Sequence, residues 1–369
     1  MYADNIVSFF NKTFGKVDFG INKNIEFKIP EKVLVVLPGF VGDVILFTPM
    51  LRNIRRNIGI NKTLDVICTK NVVNIIEPLS YIDQIHTEEF NTKDKIDFLK
   101  NEGYDTVFLF NFPFWWARAC YKAAVKQRVS FDLHRLGIDN IFIWQKFITH
   151  QLPSTSVKDH KHQSDVYLDT LKSINMQVYD RHFEVKLTKN DLDKAEELVR
   201  NLDGLKILIN ITAGSPGKAW PVKNWLEIIK YLKNSFNCSI IATGTSREKG
   251  IYDLLASESG IQITNLCGQT TIRETISLYK SLDLVITVDT ASAHFAAIAD
   301  AKNIIVIYGP TNHLQWAPRS DVSNIYQVYV DLPCRPCITR TCSHRNCINK
   351  LTPEMVIKSI KSIDFNKKT

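Results

Sequence analysis

From Val33 onward the chain alternates short apolar, β-branched runs with longer stretches of helical periodicity, and this alternation constrains the fold more than any other feature. Val33–Leu37 precedes a helical pattern over Val44–Ile58, and Leu64–Cys68 precedes one over Val72–Leu79. Thr106–Phe110 and Val129–Phe131 continue the series. Strands written as continuous apolar runs are buried on both faces, and helices between them cover those faces, as in parallel βαβ units. The second half repeats the pattern with strands Lys206–Ile211, Ser239–Ala242, Leu284–Val288 and Ile304–Tyr308, and helices Val222–Phe236, Ser246–Glu258 and Ser292–Ala299. The predicted fold class is therefore α/β, with two Rossmann-like domains facing a central cleft. A total of 369 residues suits two domains of ordinary size.

The joint is expected near residues 175–190. A polar passage rich in His and Lys, Pro153–Asp165, precedes an amphipathic helix over Val166–Ile174 and a strand-like His182–Leu187. The division is 1–180, with an N-terminal extension over 1–31, and 181–369, with a Cys-rich tail over 334–347. The apolar runs are too short for a membrane span of about 20 residues. The first residues lack the basic start, apolar core and cleavage site of a secretory signal. A cytoplasmic location is expected. The balance of 46 Lys+Arg against 38 Asp+Glu, a net +8, favours an anionic partner. That excess suits nucleic acid, a phosphorylated small molecule or an acidic membrane surface alike.

Ligands of doubly wound sheets bind at the carboxyl ends of strands, so the chemistry is expected in the loops that follow them. After Val33–Leu37 comes Pro38-Gly39-Phe40-Val41-Gly42-Asp43. Asp43 is either a helix-start acid favoured by the macrodipole or a general base at the cleft, with Gly42 beside it toward an acceptor. After Lys206–Ile211 comes Thr212-Ala213-Gly214-Ser215-Pro216-Gly217-Lys218. Thr212 and Gly214 lie in a stretch of small residues that exposes backbone N–H groups, and Lys218 adds a cation, which suits a phosphate. A flexible loop with a solvated lysine is the alternative, and the Gly-Lys-Ser/Thr ending of a P-loop is missing. After Leu284–Val288 comes Asp289-Thr290-Ala291-Ser292-Ala293-His294, whose side chains either cap the next helix or leave its first amides to an anion.

In this order the loops resemble the ADP-heptose:lipopolysaccharide heptosyltransferases of glycosyltransferase family nine. The matching stretches are VLVVLPGFVGDVILFTPMLRNIRR, ILINITAGSPGKAWPVKNWLEII, LDLVITVDTASAHFAAIADAKNIIVIYGPTNHLQWAP and the tail ending in LTPEMVIKSI. The resemblance implies GT-B architecture, an N-terminal acceptor domain, a C-terminal nucleotide-sugar domain and inverting transfer without a catalytic metal. It places the general base on Asp43, the donor-phosphate lysine on Lys218, and donor-loop residues on Asp289, Thr290 and His294, with Ala291 where the family has Gly. It carries the ribose-holding acid onto Glu248. The first loop departs from the family, with Leu37-Pro38-Gly39-Phe40 replacing the usual Arg-Leu-Ser-Ser. The implied partners are a nucleotide-sugar donor and a lipopolysaccharide-type or other glycan acceptor, and no nucleic acid.

Charge chemistry supports the same reading. Transfer to an alcohol needs a base for the hydroxyl proton and positive groups for the departing diphosphate. Asp191-Leu192-Asp193, the one Asp-x-Asp, reads as acids in the first turn of a capped helix rather than a metal site. Because base and phosphate clamp fall on different domains, closure over the donor is expected to complete the site.

Phe112 to Lys122 mixes aromatics with Arg118 and Lys122, and Lys126 follows. This suits core packing or contact with the inner membrane surface, with Asn5–Phe10 a second candidate anchor. Arg118, Arg128, His160, Lys161 and His162 are candidate contacts for a phosphorylated acceptor. Cys334, Cys337, Cys342 and Cys347 are spaced closely enough for one tetrahedral structural zinc, or iron; free thiols and disulfides are the alternatives. Two further functions compete with transfer. A sugar-nucleotide epimerase of the same architecture would consume donor without acceptor. A nucleic-acid-binding protein with a four-cysteine knuckle would use Arg335, Arg340, His344, Arg345 and Lys350 around the cysteines.

Overall fold

The first apolar run forms β1 (Lys32–Val36), with Val33, Leu34 and Val35 fully buried. Each such side chain contributes about 1.5–3 kcal/mol by leaving water. β1 pairs in parallel with β2 (Thr63–Cys68) and with β4 (Thr106–Leu109), so Val33 is in register with Leu64 and Thr106. β3 (Gln84–Thr87), β5 (Gln127–Phe131) and β6 (His150–Leu152) complete the order β3-β2-β1-β4-β5-β6. The connecting helices are α1 (Val41–Ile58), α2 (Lys70–Ile76), α3 (Thr92–Glu102), α4 (Phe114–Lys122) and α5 (Gln163–Lys172). The structure is a computed structural model, and it describes residues 25–87, 92–110, 114–131, 147–152, 160–337 and 342–365.

α1 carries Pro49 in its interior, which deprives the Ile45 carbonyl of its usual amide. The Thr48 hydroxyl donates to that carbonyl at 2.8 Å, so the helix continues without a buried orphan.

The second half builds β7 (Leu205–Asn210), β8 (Cys238–Ala242), β9 (Ile263–Asn265), β10 (Leu284–Val288), β11 (Asn303–Ile307) and β12 (Asn324–Val328) into the order β12-β11-β10-β7-β8-β9. Its helices are α6 (Lys189–Val199), α7 (Val222–Ser235), α8 (Lys249–Ser259), α9 (Ile272–Tyr279), α10 (Ala291–Ile298), α11 (Asn346–Asn349) and α12 (Pro353–Lys361). All its strand pairs are parallel, and its core runs from Ile207 and Ile209 through Trp225 and Ile286 to Ile360. Counted within itself, this sheet has the same connectivity as the first. In each, the strand order reverses direction between the first and fourth strands, at β1/β4 and at β7/β10, and ligands of such sheets collect there.

The chain divides into one compact unit of residues up to Ser156 with Gln163–Phe183, and a second of Val157–His162 with Glu184–Thr369. Two local expectations need correction. His182–Leu187 forms no strand, because the segment before it bonds to side chains of α1 instead of to a sheet edge. Asn53 donates to the Asp180 carbonyl at 2.8 Å, Asn57 donates to Gln177 at 2.8 Å, and Arg52 holds both the Asp180 carboxylate and the His182 carbonyl. The helix expected over Ser246–Glu258 is a 3₁₀ turn at Ser246–Glu248 followed by α8. Of the two acids Asp191 falls in the first turn of α6, where it forms a capping box with Thr188 and pairs with Arg273 at 3.1 Å, while Asp193 comes just beyond that turn.

A candidate nucleotide-sugar site at the β7/β10 switch

The loops after β7 and β10 meet where the second sheet reverses its strand order. The Asp289 amide bonds to the Ile307 carbonyl at 3.1 Å, which extends the β10/β11 ladder by one residue and fixes Asp289 at the carboxyl end of β10. Lys218 ends a 3₁₀ turn, Pro216–Lys218, in which the proline pre-sets the backbone and the Lys218 amide closes on the Ser215 carbonyl at 3.0 Å. Its ammonium lies 2.7 Å from Asp289 Oδ2 and 3.4 Å from the Asp289 carbonyl. The side chains are 32% and 6% exposed, so a third of the cation faces solvent while the carboxylate is sealed in. Oδ2 itself has no aligned hydrogen-bond donor, and the pair is held by charge.

The amino end of α10 bears on the capping and anion-binding readings of Asp289–His294. Thr290 occupies the N-cap position in extended backbone, yet no side chain caps the helix. The hydroxyls point elsewhere. Thr290 Oγ1 is 3.5 Å from Thr287 Oγ1, and Ser292 Oγ is 2.9 Å from the Tyr279 hydroxyl, itself 3.0 Å from Thr243 Oγ1. An uncapped helix start next to a lysine is a place for an anion, since its amides and dipole both favour negative charge. Ala291, where the family's Gly would stand, is the first residue of α10.

His294 sits one turn further on, buried. Burial pushes its pKa down to about 4 against the pull of Asp289, and the His162 and Lys218 charges push the same way. It is neutral at physiological pH and adds no charge to the clamp. Glu248 Oε2 accepts from the Thr245 amide at 2.7 Å and hydroxyl at 3.0 Å, which closes a capping box after β8. A Cβ on Gly244 would come within 2.7 Å of that oxygen, so the glycine is needed for this close approach. Thr212 and Gly214 lie on the same loop as Lys218, half-buried and exposed.

Sequence reasoning missed two polar residues here. Asn210 ends β7 and Tyr308 follows β11, both buried, and Asn210 Oδ1 and the Tyr308 hydroxyl have no hydrogen-bond partner within the protein. A polar residue closing the apolar run Ile207–Ile209 was the available signal. Buried polar atoms are ordinarily paired, so these two orphans, at the carboxyl ends of the strands that flank β10, are candidates for contact with a polar ligand. A cavity of about 160 Å³ lined by Asp283, Lys302, Asn303, Asn324 and Asp364 opens at the amino ends of β10–β12. Asp283 and Lys302 neutralise one another there at 2.8 Å, far from the strand ends that carry the clamp.

On the first unit Asp43 is a half-buried acid in the first turn of α1, directly after the Gly42 that follows β1. Phe40, at the N-cap of α1, makes no side-chain cap and is 77% exposed. The acceptor candidates behave differently. Arg128 turns onto the chain, donating to the Phe147 carbonyl at 2.6 Å and to the Val125 carbonyl, with its guanidinium over Tyr121. His162 is 2% exposed and its Nε2 lies 2.8 Å from the Ala317 carbonyl, where it acts as a strut. Arg118 is half-buried, whereas His160 and Lys161 are exposed. Around Arg118, Trp116 is buried in the core, and Trp115 and Tyr121 face solvent. Phe112 and the Asn5–Phe10 segment lie outside the described residues, and among those residues no helix is long and apolar enough to cross a membrane.

The cysteine tail also departs from expectation. Among the described residues no group of three or more His, Cys, Asp and Glu side chains is placed to hold a metal ion. Cys334 and Cys342 are exposed and Cys347 half-buried, all free thiols, and Cys337 is half-buried. Two of the tail's cations, Arg335 and Arg345, turn inward onto backbone carbonyls, which removes them from any basic face for nucleic acid.

Residues 99–348 match the family model for glycosyltransferase family 9 (heptosyltransferase), a span that contains Lys218, Glu248, Asp289 and His294. The chain belongs to this family. It is a glycosyltransferase, and Asp43 lies ahead of the matched span. A lipooligosaccharide heptosyltransferase 2 of Campylobacter jejuni is 26% identical over 343 residues, covering 90% of this chain and 98% of the relative. The fold is shared with a family 9 glycosyl transferase of Veillonella parvula, at TM-score 0.71 and 16% identity over 94% of this chain and 98% of the other. It is shared also with the Escherichia coli ADP-heptose heptosyltransferase II, at TM-score 0.68 and 14% identity over 90% and 98%. Both sheets described above are those of the GT-B class.

Proposed function

We propose that this family 9 enzyme is an inverting, metal-independent heptosyltransferase that takes its sugar from ADP-heptose and adds it to a lipopolysaccharide core acceptor. The carrying observation is the pairing of Lys218 with an uncapped α10 at the β7/β10 switch. As the bond between the sugar's anomeric carbon and the diphosphate oxygen breaks, one further negative charge develops on a diphosphate that is already anionic. Lys218 supplies one positive group and the amides at the start of α10 supply partial charges, already oriented before reaction. With the leaving group so stabilised, the mechanism requires no metal.

Asp43 is the general base of this mechanism. It takes the proton of the acceptor hydroxyl as that oxygen attacks the anomeric carbon from the face opposite the diphosphate, so configuration inverts. The start of α1 favours its anionic form. The names of the relatives support the sugar and the acceptor class. His294 and the Asp289 carboxylate shape the floor of the donor site, and Glu248 orders the loop that meets the ribose.

The test is incubation with ADP-heptose and heptose-deficient lipopolysaccharide, with and without EDTA, followed by mass spectrometry of the glycolipid and quantitation of ADP. One heptose added per ADP released, unchanged by EDTA, is expected. Donor consumed without acceptor would instead identify an epimerase, and transfer abolished by EDTA and restored by a divalent cation would overturn the metal-free mechanism.

A further inference from the structure

The Cys-rich tail reaches the loop that carries Lys218 through a single side chain. Arg345 Nη2 donates to the Pro216 carbonyl at 2.7 Å and to the Ala219 carbonyl at 3.0 Å, the first and the last carbonyl of the turn that contains Lys218. One guanidinium therefore spans the turn and fixes the separation of its ends. Both bonds leave the same nitrogen, and the planar guanidinium keeps the directions of its two N–H groups fixed toward the two carbonyls.

The backbone of Arg345 is held for the purpose. Its φ is 45°, a left-handed conformation that a residue with a side chain adopts only where its surroundings impose it. The impositions are visible. The Arg345 amide donates to Cys342 Sγ at 3.4 Å, and its carbonyl accepts from Ile348 and Asn349 at 3.0 and 2.8 Å as α11 begins. Ile348 packs so closely on Gly309 that a Cβ there would come within 2.8 Å of it, and the Leu351 carbonyl accepts from Trp220 at 2.8 Å. The segment from Cys342 to Leu351 is thus anchored on both sides of the loop it braces.

We infer that Arg345 is a positioning residue for glycosyl transfer, one that sets the place of the Lys218 ammonium by bridging the carbonyls of Pro216 and Ala219. The inference rests on the reading of Lys218 as the diphosphate clamp. In this role Arg345 acts through the turn and not on the substrate directly. Its effect falls on the donor's diphosphate alone, so its loss weakens every ligand carrying that group and leaves the acceptor unaffected.

The experiment compares Arg345→Met, Arg345→Lys, Lys218→Ala and the remote destabilised control Thr188→Ala, each as the full chain, by steady-state transfer kinetics, ADP titration calorimetry and thermal melting. Arg345→Met is expected to raise the donor KM and the ADP Kd on the order of tenfold, the scale of losing hydrogen bonds from a charged donor, with acceptor KM unchanged. Arg345→Lys is expected to recover part of this. Thr188→Ala is expected to lower the melting temperature without moving the donor KM, which separates positioning from general loss of stability. Arg345→Met with unaltered ADP affinity, beside a Lys218→Ala that has lost it, would overturn the positioning role. Unaltered ADP affinity in Lys218→Ala would overturn the clamp reading instead. Equal losses for donor and acceptor in Arg345→Met would reduce Arg345 to a structural residue.

Discussion

Replacing Lys218 by Ala removes one partner of a pair whose other member is buried, and the magnitudes separate its two roles. At 2.7 Å and an effective dielectric constant near 20, the gross attraction between the two charges is about 6 kcal/mol. Desolvation of Asp289 cancels much of it. Stranding a fully buried charge costs about 3–5 kcal/mol, but Lys218 is a third exposed, and water can partly take its place. The expected loss of stability is therefore about 1–3 kcal/mol, read by chemical denaturation. Separately, the diphosphate loses a charge-assisted contact, which corresponds to roughly 10- to 100-fold in ADP affinity. Adding Asp289→Asn removes the stranded charge, so the double variant should regain stability to within about 1 kcal/mol of the parent. Its ADP affinity should stay low. If calorimetry finds that affinity returns together with stability, Lys218 acts only through folding and the clamp reasoning is refuted.

Asp43→Asn should lower transfer by roughly 10² to 10⁴-fold, the usual range for a lost general base, while ADP binding hardly changes; near-normal transfer by this variant would remove Asp43 from the mechanism. Because the His294 pKa falls to about 4 from 6.5, the unfolded chain binds the extra proton between those values and stability drops with pH across them. The contribution, about 3 kcal/mol in total, is fully present above pH 6.5 and lost by pH 4, so a His294→Gln variant should show a shallower dependence of stability on pH in that window, and equal slopes would contradict the burial argument. Thr188→Ala breaks the capping box of α6 and should cost about 1 kcal/mol without changing transfer kinetics; an equal loss of kcat would show that α6 matters to the chemistry.

The central strands were legible from sequence and the edge strands were not, for one physical reason. β1, β2, β4, β5, β7, β8, β10 and β11 lie inside their sheets, and each but β5 carries a run of buried apolar residues, interrupted in β2 by Asp65 and preceded in β7 by Lys206. The unread strands, β3, β6, β9 and β12, are the four sheet edges. Their sequences, Gln84–Thr87, His150–Leu152, Ile263–Asn265 and Asn324–Val328, are short, and three of them are partly exposed throughout most of their length. An edge strand pairs on one side only and needs little apolar surface, so its sequence does not differ from a loop's. Cations failed differently. Arg128, His162, Arg335 and Arg345 bind carbonyls of the protein itself, and nothing in the local sequence distinguishes a guanidinium facing a carbonyl from one facing a phosphate. The four cysteines have metal-like spacing, and among the described residues the bonds from Arg335 to Gly309 and from the Cys337 amide to Pro310 seat that part of the tail on the loop after β11.

The two halves have one connectivity, so the loop after β1 and the loop after β7 are topological equivalents, each following the strand at which its sheet changes direction. Their charges are opposite. The first leads into a helix whose opening turn carries Asp43, and the second carries Lys218 next to the uncapped start of α10. A helix start already attracts negative charge, so the acid on α1 occupies that attraction with a group of the protein's own. At the second switch point the helix amides are left uncapped and a cation stands beside them, so an external anion gains both interactions. On the proposed mechanism the same backbone plan serves a diphosphate at one switch point and a proton acceptor at the other. On that mechanism the difference assigns leaving-group stabilisation to one unit and hydroxyl activation to the other.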